Sequence, residues 1–290
     1  MVVYKQQIIN HIGIKPIWFF SFITKLRRRV MKKILKILKA MLLVLAILLI
    51  SVGCTKKEKI ENEVVIGFDN TYFPMGYMNE NGDTVGFDID LAKETFKRLN
   101  MKVSFQPIDW SMKETELRAK NIDAIWNGYS LTEERKKIVT YTEPYMKNKQ
   151  LIVVLKDSSI KNKRDLKGSI VGTQQGSAGL EAIEKDKKLL NSLSNKEPIL
   201  YDTFDKVFRD LNAKRIDALV ADETLAKYYI NKSGREKYNI LDENLGEEDY
   251  VVAFSKDNIE LCDKVNKILR EIKKDKVFNE IYKKWFGQNN

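Results

Sequence analysis

The side chains able to do chemistry are few in kind. The 290-residue chain has one histidine, His11, and two cysteines, Cys54 and Cys262. A structural zinc cluster, a Cys-His nucleophile pair or a Ser-His-Asp triad would all have to draw on that one imidazole. It stands in an N-terminal stretch that the mature chain is expected to lack, so most hydrolase chemistry is excluded. What remains are carboxylates, guanidinium groups and backbone donors. Arg135, within Thr132-Glu133-Glu134-Arg135-Lys136-Lys137, is either a two-pronged donor for a planar anion or one member of a solvated helix face. Asp222 follows an apolar strand and is either a partner for a cation or the cap of the next helix. Gly172 to Gly176 reads as a glycine-bounded turn into a helix N-terminus, a natural anion seat, but it lacks the Lys-Ser/Thr of a P-loop. Asp88 and Asp90 fall in the first turn of a helix and read as a capping pair, with no metal expected. Cys262 lies on an apolar helical stripe and reads as a buried core thiol.

These groups need elements to hold them, and the hydrophobic pattern supplies an alternation. Val64 to Ile66 reads as a strand; Ile89, Ala92, Phe96 and Leu99 share one helical face; Val103 to Phe105 is a strand again. The alternation continues through strands at Ile122 to Trp126, Leu151 to Leu155 and Ser169 to Gly172. A helix carrying Phe204, Val207, Phe208 and Leu211 follows, then strands at Ala218 to Val220 and Val251 to Phe254. Two helices close the chain, with stripes Cys262, Val265, Leu269, Ile272 and Phe278, Ile281, Tyr282, Trp285. Such order predicts parallel sheets covered by helices.

Ala119-Lys120-Asn121-Ile122-Asp123-Ala124-Ile125 returns 94 positions later as Ala213-Lys214-Arg215-Ile216-Asp217-Ala218-Leu219. A helix end, a turn and a strand recur in one order, which suggests two lobes of similar construction. Both copies run off the carboxyl end of their strand into polar residues, Asn127-Gly128-Tyr129-Ser130 and Asp222-Glu223. In open α/β sheets that is where ligands bind.

Charge is unevenly spread. Residues 1 to 53 carry ten of the 51 basic residues and no Asp or Glu, leaving 41 basic against all 40 acidic groups in the remainder. The globular part is nearly neutral and offers no field to steer a nucleic acid or an acidic membrane. From Met31 the order is lysines, an apolar run of eleven residues from Ala40 to Ile50, then Ser51-Val52-Gly53-Cys54. Eleven residues are too short to span a bilayer of about 30 Å, so 31–53 reads as a secretory signal, with translation starting at Met31 and 1–30 an upstream extension. The end of that segment resembles a bacterial lipobox, which implies a lipid anchor on Cys54. Ser51 departs from the aliphatic residue usual three before the cysteine. Residues 54–62 form a polar tether.

Gly86-Phe87-Asp88-Ile89-Asp90-Leu91-Ala92 resembles the signature of bacterial extracellular solute-binding proteins, family 3, the receptors of ABC importers for polar amino acids. The resemblance extends through Asp69 with Tyr72-Phe73-Pro74, Ile108-Asp109-Trp110, Ser130-Leu131-Thr132 with Arg135, Gly176-Ser177, Ile216-Asp217-Ala218 with Asp222, and terminal Ile281 to Gly287. Thr95 and Asn127-Gly128 depart from the residues usual there. It implies an α/β, two-lobed periplasmic-binding-protein-like fold (type II). Each lobe is then a mixed, mostly parallel sheet flanked by helices, and a two-strand hinge crosses near Tyr145 to Gln150 and Glu247 to Val251. Lobe 1 is then 63–147 with 251–290, and lobe 2 is 148–250.

The resemblance also implies a monomer that takes a polar amino acid between its lobes and delivers it to a membrane permease with its ATPase subunits. No cofactor and no nucleic acid enter. The location is extracytoplasmic, on the outer face of a Gram-positive membrane or in a periplasm. An amino acid is a zwitterion, so its receptor must meet a carboxylate with a bidentate donor and an ammonium with an anion. Arg135 suits the first task and Asp222 the second. Backbone N–H groups at Ser130 and at Ser177 and Ala178 would add carboxylate contacts, Tyr72 and Trp110 would wall the ligand side chain, and Asn127 and Gly128 would complete the site. Asp69 either binds the ligand's side chain or buttresses its loop. A cationic side chain, glutamine and cystine all suit these types.

Two rivals stand beside this reading. An enzyme on the same scaffold, similar to cyclohexadienyl dehydratases, needs a general acid poised in the cleft. Asp69 and Asp222 are the obvious carboxylates, and recognition already claims them. A sensory input domain would need a membrane span and a signalling module after Gly287.

Overall fold

The computed structural model describes residues 25–32, 34–36, 39, 41 and 62–287. The chain divides into two units, Met1–Lys59 and Ile60–Asn290. In the first, the described residues are helical and exposed. His11, Cys54, nearly all of the tether and all of the Ala40–Ile50 run except Met41 lie outside the described residues. Among the described residues no helix is long and apolar enough to cross a membrane.

The second unit opens with β1 (Glu63–Phe68), β2 (Thr71–Tyr72), β3 (Gly76–Met78), β4 (Thr84–Val85), α1 (Phe87–Arg98) and β5 (Lys102–Pro107). Then come α2 (Lys113–Arg118), β6 (Ala124–Ser130), α3 (Glu133–Ile138), β7 (Val139–Tyr141), β8 (Met146–Leu155) and β9 (Val171–Gln174). Next are α4 (Ala178–Lys185), α5 (Lys187–Ser192), β10 (Ile199–Tyr201), α6 (Phe204–Asn212), β11 (Ala218–Asp222) and α7 (Glu223–Ser233). The long β12 (Tyr238–Ser255), α8 (Ile259–Lys274) and α9 (Val277–Phe286) close it.

The fold is α/β and two-lobed. One path of strands runs β10-β9-β11-β8-β12-β6-β1-β5, with β7 added on β12, while β2, β3 and β4 form a small antiparallel sheet. On one side β1 pairs in parallel with β5 and β6; on the other β9 pairs in parallel with β10 and β11. The centre departs from the parallel expectation. β8 runs antiparallel to both β11 and β12, and β12 runs antiparallel to β6. The alternation of strand and helix could not reveal this, because no helix separates β7 from β8. β12 is eighteen residues long, and its Glu247, Glu248, Asp249 and Tyr250 pair with Lys149, Asn148, Lys147 and Met146 of β8. Those four pairs join the two halves of the sheet.

The repeated heptads fold alike for a visible reason. Lys120 and Lys214 both take a left-handed conformation (φ 62° and 56°), ending α2 and α6. The next N–H in each copy reaches back to close the helix, Asn121 to Glu116 O at 3.1 Å and Arg215 to Asp210 O at 2.9 Å, a Schellman arrangement with lysine where glycine is usual. Asp123 and Asp217 then grip the neighbouring strand twice. Their N–H groups donate to Val65 O and Ile170 O, and their carboxylates accept from Val65 N and Ile170 N. β6 thus begins at Ala124, two residues after the expected Ile122, and β11 at Ala218, where it was expected. Ile122 and Ile216 sit buried in the turns. β9 likewise starts at Val171, two residues after the expected Ser169, whose N–H is held in a turn by Leu166 O.

Apolar stripes cover both halves. Phe87, Leu91 and Phe96 of α1 are fully buried, in one cluster with Trp126 and Phe254 among others, and each such side chain contributes about 1.5–3 kcal/mol on leaving water. Ile152, Val154, Val171, Ile183 and Val220 form a separate cluster in the other half. Cys262 is a buried thiol of α8, pushed up to about 11 chiefly by desolvation.

Asp88 and Asp90 do not cap α1. The N-cap position is Gly86 and no side chain bonds there. The Asp88 carboxylate is fully buried, accepting from Gly128 N at 2.7 Å and Tyr145 Oη at 2.8 Å. Asp90 accepts from Lys284 Nζ at 2.6 Å and Trp285 Nε1 at 2.8 Å, pinning α9 to α1. Each has a tertiary partner that outbids its own helix end.

Candidate functional site

Eight of the ten side chains and turns singled out in the sequence converge on one pocket: Tyr72, Trp110, Gly128, Ser130, Arg135, Ser177, Ala178 and Asp222. Gln174 and Phe204 complete its wall, and it holds about 220 Å³, open solvent at its mouth included. Contributions come from the carboxyl ends of β6, β9 and β11, on both halves of the sheet. A larger groove nearby, lined by Glu133, Glu134, Glu181, Glu184 and Glu247 among others, has neither the aromatic walls nor the guanidinium.

Arg135 belongs to α3, where Thr132 Oγ1 caps the helix by accepting from Arg135 N at 3.3 Å. It is no solvated face: the residue is only 3% exposed. Its guanidinium lies 4.8 Å from the Tyr129 ring centre and donates from Nη1 to Ser130 O (2.9 Å) and from Nη2 to Gly176 O (3.0 Å). Nε faces Glu181 at 2.9 Å. These bonds use three of the five N–H donors and leave one on each terminal nitrogen.

Asp222 holds the N-cap position of α7, but its side chain makes no capping bond there. Gln150 Nε2 donates to Oδ1 at 2.6 Å, and Tyr250 Oη donates to Oδ2. Desolvation holds its carboxyl above the usual range, against the pull of Tyr250, Tyr72, Gln150 and Arg135. Glu248, beside it on β12, is pushed up to about 7 by burial and then by the Asp222 charge.

Tyr72 and Trp110 present nearly parallel rings, 6.4 Å between centres at 10°. Lys113 Nζ stands 5.2 Å over the Trp110 ring and donates to Gly176 O at 2.8 Å. Burial first, then the Arg135 charge, brings this lysine down to about 8. Gly176 takes φ +70°, and its carbonyl is thus gripped by two cations from the other half of the sheet. Gly128 takes φ +57°, and a Cβ there would stand 2.8 Å from Tyr72 Cε1.

Asp69 and Asn127 stand outside the pocket lining. Of its two readings Asp69 shows the loop buttress: Oδ1 is taken by Thr71 N (2.8 Å) and Thr71 Oγ1 (2.6 Å), and Oδ2 by Gln174 Nε2 (2.6 Å). Asn127 stands behind it, fully buried, its Oδ1 accepting from Asp69 N at 2.9 Å. Ser177 caps α4 through its hydroxyl, while its N–H is turned back to Gln174 O, so of that pair Ala178 keeps the N–H that faces outward from the helix end.

Sequence reasoning missed Gln150, Gln174, Lys113, Phe204 and Tyr250. Gln150 and Gln174 carried a signal, a long polar side chain beside a buried apolar strand. Phe204 carried none, because a pocket wall and a core stripe have the same spacing. Among the described residues no group of three or more His, Cys, Asp or Glu is placed to hold a metal.

Residues 64–288 match the bacterial extracellular solute-binding proteins, family 3, and the chain belongs to that family. It is 32% identical over 257 residues to the arginine-binding extracellular protein ArtP of Bacillus subtilis (strain 168), covering 88% of this chain and 98% of that one. It is 33% identical over 236 residues to the histidine-binding periplasmic protein of Escherichia coli (strain K12), 78% of this chain and 88% of the other. Among solved structures, an ABC uptake transporter substrate binding protein from Streptococcus pneumoniae with bound histidine is 40% identical with a TM-score of 0.76. The match covers 78% of this chain and 93% of that one. The chain is a substrate-binding component of an amino-acid ABC uptake system.

Proposed function

We propose that the pocket takes the zwitterion of an α-amino acid, with the free N–H pair of Arg135 on its carboxylate and Asp222 on its ammonium. The convergence of that fork and that buried carboxylate in one pocket carries the reading. Ala178 N–H adds a carboxylate donor at the start of α4. Residues 63–147 with 251–290 form one lobe and 148–250 the other, and they close on the ligand about the paired stretches of β8 and β12.

The side chain lies between the Tyr72, Trp110 and Phe204 rings. Gln174 Nε2 donates to both the Asp69 carboxylate and Asp202 O, so its Oε1, buried without a partner, is an acceptor and favours a side chain bearing N–H donors. Arginine and histidine, named for the relatives, both fit. The dehydratase-like alternative needs a carboxyl free to donate a proton; both oxygens of Asp222 already accept bonds.

Cys54, after lipobox-like Ser51-Val52-Gly53, carries the lipid that holds the protein to the outer face of the membrane beside its permease and ATPase partners. Several acyl chains anchor far more firmly than one. Extraction without detergent should then leave the protein with the membrane, and Cys54→Ala should release it or retain the signal. Thermal-shift screening against the amino acids and cystine, followed by solution scattering with the best ligand, tests the binding reading. A smaller radius of gyration with ligand is expected, and no change at saturation would contradict closure.

A further inference from the structure

Tyr250 does not line the pocket, yet its hydroxyl bonds the carboxylate proposed for the ammonium. The residue is fully buried on β12, opposite both Ser130 and Met146, in the stretch that joins the two halves of the sheet. Its hydroxyl meets Asp222 Oδ2 on one side and Tyr72 Oη, at 3.1 Å, on the other. A Cβ on Gly128 would stand 3.2 Å from its Cζ, so the ring lies directly behind the pocket floor. A hydroxyl has one hydrogen, and beside a carboxylate that hydrogen goes to the stronger acceptor. Tyr250 therefore donates to Asp222.

We propose that Tyr250 is a positioning residue for ligand capture: its hydroxyl anchors the Asp222 carboxylate to the hinge strand and supplies the bond that keeps it charged while buried. This rests on the reading of Asp222 as the ammonium partner. A carboxylate has about four lone-pair sites, and Gln150 and Tyr250 use two, leaving room for an ammonium. The groups facing Asp222 are Tyr72 from β2, Tyr250 and Glu248 from β12, Gln150 from β8 and Arg135 from α3. Burial and Glu248 favour the protonated form, while the two hydroxyls, the amide and the guanidinium favour the charged one. Without the Tyr250 hydroxyl, the balance shifts toward a neutral Asp222, which meets an ammonium poorly. Because Tyr250 sits on the strand crossing between halves, the same bond makes the state of Asp222 felt at the hinge.

The test is a carbon-13 carboxyl titration of the protein, with the Asp222 resonance assigned by its loss in Asp222→Asn. Tyr250→Phe should raise the Asp222 midpoint by about one pH unit, as expected for one lost charge-assisted bond. 3-Fluorotyrosine introduced at Tyr250, a stronger donor of nearly the same shape, should lower it, and decides the matter where Tyr250→Phe does not fold. In titrations with L-arginine, whose charges are largely constant from pH 5 to 7 by its group types, Tyr250→Phe should bind up to about tenfold more weakly at the acid end of that range and recover as pH rises. A midpoint unmoved by either substitution overturns the role of Tyr250. Wild-type affinity in Asp222→Asn instead overturns the ammonium reading, and the carboxyl titration still decides the role of Tyr250.

Discussion

Gln174 Nε2 donates to Asp69 Oδ2 at 2.6 Å, joining the carboxyl end of β9 to the loop after β1 across the pocket. Asp69 is 5% exposed, and its carboxyl is raised chiefly by desolvation, so this bond compensates a charge that has lost its water. Gln174→Leu keeps the bulk, removes the donor and also removes the unpartnered Oε1 acceptor. Affinity for a cationic amino acid should fall by about 1–3 kcal/mol, and isothermal titration of the variant beside wild type reads this directly. Unchanged affinity would mean that neither atom matters to the ligand.

Gly128 supports a second prediction. At φ +57°, with Tyr72 Cε1 2.8 Å and Tyr250 Cζ 3.2 Å from a built Cβ, alanine is disfavoured by both backbone and space. Gly128→Ala should cost about 1–3 kcal/mol of stability and displace the two tyrosines. Urea unfolding measures the first effect and ligand titration the second.

Asp88 gives a pH signature. Burial pushes its carboxyl up to about 7, against hydrogen bonds from Gly128 and Tyr145 that pull it down. Between its ordinary value and 7 the folded protein holds a proton that the unfolded chain has released. This group therefore makes stability fall as pH rises through that window and adds no slope above it. Glu248, also near 7, acts in the same sense. Asp88→Asn should flatten the stability curve between about pH 4 and 7 by an amount on the order of 1–4 kcal/mol. Urea midpoints at the two ends of the window decide, and a slope equal to that of wild type would show Asp88 charged throughout.

Arg135 and Asp222 should dominate binding. Truncating either leaves the ligand's opposite charge buried and unpaired, so Arg135→Ala and Asp222→Asn should each lose about 2–5 kcal/mol in affinity. Arg135→Lys keeps the charge but not the fork, and cannot hold Ser130 O, Gly176 O and the ligand together. It too should lose substantial affinity in calorimetry. Trp110→Ala should lose less, about 1–3 kcal/mol, since no charge is orphaned.

Much of this was legible in the residues. The apolar spacing of Ile89 and Phe96 marked α1, and the repeated Ile-Asp-Ala heptads marked two equivalent turns, because such signals are local. The antiparallel course of β8 and β12 was not legible, since strand direction depends on partners distant in sequence. The same holds at the site. Arg135 and Asp222 stood out by type and position, whereas the withdrawal of Asp69 and Asn127 from the pocket depends on Gln174 and on each other. Asp88 shows the limit most plainly: a first-turn carboxylate reads as a cap until the Tyr145 hydroxyl, 57 positions away, is found beside it.

The zwitterion clamp is tested most directly from the ligand's side. Calorimetric titration of the wild-type protein with L-arginine, and with agmatine, which is arginine without its carboxylate, changes one charged group and leaves the protein untouched. The clamp predicts that agmatine binds at least about thirty-fold more weakly than L-arginine, since the Arg135 fork would then face no anion. Agmatine binding within threefold of L-arginine would contradict it.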